Sequence, residues 1–200
     1  CSDILDVTLP MGSFDATKQI ARELPMRMLG RILGIPEEDL PWLVEKGDAL
    51  IANTDPDFTD HVLDKLDTNE FRMMPHNSPA GAELYEYAKT LMEKKSKTGE
   101  TDGILHMILQ PSEDGSKISE TEFKNFFCQL VAAGNDTTRY SIAAGIHALC
   151  HQPELLNQMK NDPLVWETAP DEIIRWASPV NYFRRTATED FEIHNKFIRE

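Results

Sequence analysis

Apolar positions recur at helical spacing along most of this chain, and strand-like alternation is confined to residues 191–198. Residues 14–34 carry Ile20, Ala21, Leu24, Met26, Met28, Leu29, Ile32 and Leu33 close to a 3.6-residue period. That stripe is wide enough to predict a mostly buried helix. Gly34 and Pro36 stop it. Pro36-Glu37-Glu38-Asp39 opens the next helix with acids at its positive pole, and Leu40, Trp42, Leu43, Ala49, Leu50 and Ile51 follow. From 53 to 80 the pattern lapses into an Asp-, Asn- and Pro-rich stretch with Met73 and Met74, which reads as a partly mobile connection. Helical spacing resumes near Ala80 and runs to about Lys97 through Leu84, Tyr85, Tyr87, Ala88, Leu91 and Met92. Gly99 to Gly103 reads as a loop, Ile104 to Leu109 as a short helical turn, and Pro111 to Lys117 as a polar turn.

The best-defined element follows. Ser119 with Glu122 has the spacing of a capping box, in which each side chain satisfies the other's free backbone N–H. Phe123, Phe126, Phe127, Leu130, Val131, Ala133, Ile142, Ile146 and Leu149 then continue to Pro153. A helix over 119–152 far exceeds the usual length, and its apolar residues occupy much of the circumference, so it is expected to cross the centre of the molecule. Pro153–Lys160 and Ala169–Trp176 predict two more helices, Val180–Thr186 an extended segment, and Phe191–Ile198 a hairpin. The fold class is mainly α with a minor β component, a single partial domain over 1–200.

Charge narrows the partners. Thirty-four acids against twenty bases give −14, a surface that repels nucleic-acid phosphates. No apolar run reaches membrane-spanning length, and no basic-then-apolar leader is visible. Three cysteines are an odd number without framework spacing, as in a reducing compartment. If Cys128 and Cys150 share the long helix they lie about 33 Å apart, too far for a disulfide. Both ends read as cut: the chain starts at Cys1 and stops at Glu200, just after its hairpin. A longer protein is the expectation.

Ala133-Gly134-Asn135-Asp136-Thr137-Thr138 breaks the rules of the long helix. Glycine there costs roughly 1 kcal/mol against alanine, and Asp and Thr compete for backbone hydrogen bonds. Two readings stand side by side on the residues alone. One is a functional site, where a missing Cβ admits a ligand to the backbone, a Thr hydroxyl opens the helical ladder and an Asp relays protons. The other is a kink filled by buried water.

Ala133-Gly134-x-Asp136-Thr137-Thr138 resembles the oxygen-activation motif on the central helix of cytochromes P450, the haem-thiolate monooxygenases. Glu172-Ile173-Ile174-Arg175 is similar to the Glu-x-x-Arg of a later helix in that family, its two charges sharing one face. Trp176-Ala177-Ser178-Pro179-Val180, then Arg184-Arg185-Thr186-Ala187, resembles the strand that follows in bacterial members. The order and spacing of the three agree over about 119–198. The family's haem-ligating cysteine loop, Phe-x-x-Gly-x-x-x-Cys, has no counterpart here, and Cys1, Cys128 and Cys150 stand in the wrong context.

The resemblance implies haem b in the full-length protein, with no metal ligand in this chain. It implies Asp136 and Thr137 as the pair delivering protons to O2, and Ala133 and Gly134 as the backbone nearest the cofactor. Arg185, or Arg184 in the other register, would pair with a haem propionate. Glu172 and Arg175 would form a buried structural ion pair. Ala132, Ala133, Val180 and Asn181 would touch an apolar small-molecule substrate of lipid, sterol or terpenoid class, under a roof containing Leu50, Ile51, Met73 and Met74. A ferredoxin-type electron donor and a cytoplasmic location complete the reading. The alternative is a catalytically inert acidic α-helical binding module on the same scaffold. Two further patterns carry less. His147, Cys150 and His151 lack a fourth zinc ligand nearby, and Asn135-Asp136-Thr137 matches a glycosylation acceptor inside a helix.

Overall fold

A computed structural model describes residues 1–52, 55–57, 78–98, 104–181 and 187–200. Eight α-helices and one hairpin are found among the described residues. They are α1 (Ser2–Thr8), α2 (Glu23–Leu33), α3 (Leu40–Ile51), α4 (Pro79–Thr98), α5 (Ile104–Leu109), α6 (Glu120–His151), α7 (Pro153–Asn161), α8 (Val165–Ala177), β1 (Phe191–Ile193) and β2 (Lys196–Ile198). The mainly α class with a minor β component is what forms.

The long helix α6 is the axis. Its N-terminal end carries the capping box expected from Ser119 and Glu122: the Ser119 hydroxyl accepts from the Glu122 N–H at 3.2 Å, and Glu122 Oε2 accepts from the Ser119 N–H at 2.8 Å. The Ser119 hydroxyl also donates to Glu122 Oε2 at 2.7 Å, and that bond, with the one from the Ser119 N–H, holds the Glu122 carboxyl below the usual carboxylate range. α2, α3 and α4 pack around the first half of α6. Their shared core contains Met26 and Leu33 of α2, Leu40, Leu43 and Val44 of α3, Leu84 of α4, Leu105 of α5, and Phe123, Phe127 and Val131 of α6, all essentially inaccessible. Each such side chain contributes ~1.5–3 kcal/mol by leaving water. Trp42, Tyr87 and Phe127 stack in a tilted ladder, with centroids 4.9 and 6.0 Å apart, and the Tyr87 hydroxyl donates to Asp39 at 2.8 Å.

α2 ends where Gly34 and Pro36 predict. Gly34 is left-handed at φ 66°, and the Gly34 and Ile35 N–H groups reach back to the Arg31 and Gly30 carbonyls at 3.1 and 2.8 Å. This pair of bonds satisfies carbonyls the helix would otherwise leave free. The predicted single helix over 14–34 is instead divided, with a π-helical turn at Thr17–Ala21 before α2. Its stripe is also narrower than expected: Met28 and Ile32 are 42% and 51% exposed, because they project away from the side of α2 that meets α3 and α6. α1 and the 3₁₀ turn after it at Leu9–Met11 have no counterpart in the sequence expectations.

Beyond the middle of α6 the surroundings change. α8 docks on the second half of α6, where a Cβ on Gly145 would stand 3.1 Å from Ile173 Cγ2, so glycine permits the close crossing. α8 starts at Val165, earlier than the predicted Ala169, and keeps Pro170 inside it. Asp162 starts its first turn by accepting the Leu164 N–H at 3.0 Å. β1 and β2 pair antiparallel with Phe191 opposite Ile198 and Ile193 opposite Lys196. His194 and Asn195, both at positive φ (47° and 58°), make the tight turn whose twist suits a two-residue hairpin. Every residue of both strands is exposed. The expected loop at 99–103, most of the extended segment at 182–186, and Met73, Met74, Arg184 and Arg185 lie outside the described residues.

Candidate active site on the long helix

The irregular hexapeptide sits at the middle of α6, at the boundary between those two surroundings. The Thr137 hydroxyl donates to the Ala133 carbonyl at 3.0 Å, and the Ser141 hydroxyl donates to the Thr137 carbonyl at 2.8 Å. Both hydroxyls thus bond back onto their own helix, which loosens its ladder locally. The lone pairs of Thr137 Oγ1 remain available to accept a hydrogen bond.

Thr137 and Thr138 stand at one end of an open apolar hollow of about 440 Å³. Ser141, Ile142, Gly145 and Ile146 continue its α6 wall, and Trp166, Pro170, Ile173, Ile174 and Pro179 form the opposite side. A second hollow of about 360 Å³, lined by Leu24, Met28, Leu29, Ile32 and Gly134, shares Thr138 and Ile142 with the first. Hydroxyls at the head of an apolar trough are suited to orienting a small polar group beside a large apolar one.

Several expected roles are changed by position. A Cβ on Gly134 would meet Leu29 Cδ2 at 3.1 Å, so its missing side chain admits α2, and Gly134 also lines the smaller hollow. Ala132 packs against the core, whereas Ala133 is exposed; successive residues on a helix face different ways, so the two do not share a pocket wall. Leu50, expected in an adaptable roof, is a core residue at 3% exposure, and Ile51 next to it is 36% exposed. Val180 is 44% exposed and Asn181 is exposed, while the neighbouring Pro179 is the one lining the hollow.

Glu172 and Arg175 do pair, through two bonds of 2.6 Å, and the guanidinium holds the Glu172 carboxyl below its usual range. The pair is not buried in this chain: the two side chains are 61% and 69% exposed. No cysteine lines the 440 Å³ hollow. Cys128 is buried elsewhere, with its thiol pushed up to about 12 by that burial, and Cys150 is exposed. His147 and His151 stack 4.2 Å apart, and no three metal-binding side chains cluster among the described residues.

The sequence reading missed a polar cluster at the α3–α6 interface. Asp48, 10% exposed at its side chain, accepts from Arg22 Nε at 2.6 Å, from an Arg139 guanidinium nitrogen at 2.7 Å, and from the Asn135 amide at 3.3 Å. The other terminal nitrogen of Arg139 holds Asp136. Asn135 itself is fully buried, with Gly47 directly beneath it: a Cβ on Gly47 would stand 2.9 Å from the amide nitrogen. A signal was present, because Asp48 interrupts the apolar stripe of Leu40, Leu43, Val44 and Leu50 on α3.

No protein-family model matches the chain. Among characterised proteins it is 35% identical over 189 residues to a steroid C26-monooxygenase of Mycobacterium tuberculosis, covering 94% of this chain and 40% of that protein. It is 32% identical over 180 residues to a methyl-branched lipid omega-hydroxylase of the same species, covering 90% and 39%. Among solved structures, the Mycobacterium marinum cytochrome P450 CYP268A2 in complex with pseudoionone superposes with a TM-score of 0.78 at 31% identity, over 98% of this chain and 46% of that one. P450BioI, solved with an acyl carrier protein bearing hexadec-9Z-enoic acid, superposes with a TM-score of 0.79 at 26% identity, over 100% and 48%. The fold is that of the cytochromes P450. The chain belongs to the cytochromes P450 over the stretch it spans, which is about two fifths of the length of these curated relatives.

Proposed function

We propose that the full-length protein is a cytochrome P450 monooxygenase that hydroxylates an apolar small molecule of steroid or branched-lipid type. It would use O2 and two electrons from a ferredoxin-type donor in the cytoplasm. The observation that carries the reading is the Thr137 hydroxyl at the head of the apolar trough beside Asp136. The named activities of the steroid and lipid relatives support the substrate class. No helix among the described residues is long and apolar enough to cross a membrane, in keeping with a protein that meets its donor off the bilayer.

The residues present fit one wall of a haem site. Thr137, Thr138 and the apolar side chains of the trough would line one side of the haem, and the cysteine ligand would come from outside this chain. Haem, when bound, supplies the oxidising chemistry. The protein's part is to orient, to deliver protons and to keep water out. With its own hydrogen on the Ala133 carbonyl, the Thr137 hydroxyl would accept a hydrogen bond from a proton-carrying water and hold that water at the head of the trough; Asp136, reached by water at 43% side-chain exposure, would connect it to solvent. Ile142 and Ile146 would help to keep water out of the trough once haem covers it. Ala133 and Val180 would face substrate, Asn181 beside it, and Arg185, with Arg184 as the other register, would pair with a propionate. Glu172 and Arg175 would be covered by the remainder of the protein and hold it in place.

The full-length protein tests this. It should show the absorbance of a thiolate-ligated ferrous haem–carbon monoxide complex and hydroxylate cholesterol or a methyl-branched fatty acid with a surrogate ferredoxin system. Thr137→Ala should bind substrate normally yet divert electrons to hydrogen peroxide. Full coupling in that variant would remove Thr137 from proton delivery, and a protein without the haem-thiolate spectrum would overturn the whole assignment.

A further inference from the structure

We propose that Arg139 is a positioning residue for the Asp136 carboxylate, and that Asp48 of α3 is the anchor that fixes Arg139. The inference deepens the reading of Asp136 as the route for protons and rests on it.

An i,i+3 pair on a helix surface leaves both side chains free to rotate and fixes little. Asp136 and Arg139 would be such a pair if α6 stood alone. In the folded chain one terminal nitrogen of Arg139 is bound to Asp48 Oδ1 at 2.7 Å, from 91 positions away along the chain. The other terminal nitrogen holds Asp136 Oδ1. A guanidinium is planar and rigid, so pinning one nitrogen aims the other. Asp48 is itself immobilised: Arg22 Nε holds its second oxygen at 2.6 Å, and the buried Asn135 amide reaches its first at 3.3 Å. Glu23 completes the cluster by accepting from Arg22 at 3.0 Å.

The local sequence is built around this contact. Gly47 precedes Asp48, and a side chain there would collide with the Asn135 amide. Asn135 occupies the position of the hexapeptide next to Asp136, and it is the member that is fully buried. Asp136 remains 43% exposed, so water reaches a carboxylate whose direction is set from the neighbouring helix.

The test uses full-length, haem-loaded enzyme with cholesterol or a methyl-branched fatty acid, whichever it turns over, and a surrogate ferredoxin system. Four variants are compared: Asp136→Asn, Arg139→Gln, Arg139→Lys and Asp48→Asn. Arg139→Gln and Asp48→Asn should lower kcat on the order of ten-fold with KM unchanged, and should raise the solvent isotope effect as Asp136→Asn does. Arg139→Gln combined with Asp136→Asn should be no slower than Asp136→Asn alone, the signature of residues acting in series. Arg139→Lys keeps the charge without the fork and carries the same expectation should Asp48→Asn fail to hold haem. A crystal structure of Asp48→Asn, or of Arg139→Lys in its place, should show residue 139 beyond hydrogen-bond reach of Asp136 or Asp136 turned to another rotamer. Wild-type kcat and isotope effect in the Arg139 and Asp48 variants, with Asp136→Asn impaired, would overturn the positioning claim while leaving the relay intact. A silent Asp136→Asn would remove the relay instead, and with it the catalytic meaning of the proposal, even if the crystal structure showed Asp136 released. An Asp136 that keeps its rotamer and stays within hydrogen-bond reach of residue 139 in that structure overturns the proposal by itself.

Discussion

The two halves of α6 are made of similar residues and sit in different surroundings. Before Asn135, the buried faces of α2, α3 and α4 close on Phe123, Phe127 and Val131 and leave them at 0% exposure. After it, α8 has no buried residue, and Trp166, Trp176 and Phe197 stand 58%, 52% and 64% exposed. Both regions carry amphipathic helices. An apolar stripe guarantees a face that seeks cover, but the energy is gained only when another element provides it. In the first region the partners are in this chain. In the second, the trough of Ile142, Gly145 and Ile146 is open.

The largest test of that contrast is truncation of one aromatic from each region. Phe127→Ala is expected to cost ~3–5 kcal/mol, since it opens a cavity among packed neighbours. Phe197→Ala, at 64% exposure, should leave the urea midpoint of the chain within error. Comparable losses at both would mean that the hairpin is covered after all.

The ion pairs sharpen the same comparison. Asp48→Ala should cost about 2 kcal/mol, because it strands two guanidinium groups and a buried amide. Glu172→Ala removes an equally short pair in open solvent and should not measurably shift the unfolding midpoint of this chain. The pH dependence follows from the sign: Arg175 lowers the folded-state carboxyl of Glu172, so any contribution is present above the ordinary carboxylate range and fades as pH falls through the lowered value. Equal effects of the two substitutions would contradict the burial difference.

Backbone substitutions should act in opposite directions. Gly47→Ala places a Cβ 2.9 Å from Asn135 and 3.1 Å from Met26, and should destabilise by ~1 kcal/mol or more despite the better helix propensity of alanine. Ser178, the left-handed cap of α8 at φ 46°, lies in the open region, and Ser178→Gly should stabilise by ~1 kcal/mol by relieving its backbone. Melting temperatures of the two variants check both signs.

The smallest effect is chemical. Cys150 should alkylate readily at neutral pH, while Cys128, buried and with its thiol pushed up to about 12, should react only after unfolding. Mass spectrometry after brief iodoacetamide treatment reads both thiols at once.

Most of the helices were legible in the chain because their signals are local. The Ser119–Glu122 box, the Gly34 stop and the period of Phe123, Phe127 and Val131 each act within one or two turns, and each formed as read. The hexapeptide was legible for the opposite reason: it violates helix chemistry so densely that a use for it had to be sought. What could not be read was which side of each stripe would be covered. Met28 and Ile32 fit the helical period as well as Met26 and Leu33, yet the first two are exposed and the second two buried. Periodicity records that a residue is apolar, not what stands opposite it.

The site divides along the same line. The sequence by itself determined that Asp136, Thr137 and Gly134 lie on one long helix and that Glu172 and Arg175 share a face, because helix geometry alone sets those relations. Only the tertiary structure decided that Gly134 seats Leu29, that Leu50 belongs to the core, and that Arg139 turns from its own helix to Asp48. Those facts depend on contacts between segments far apart in the chain. Their register is set by how whole helices pack, a sum over many side chains that no single stretch of residues encodes.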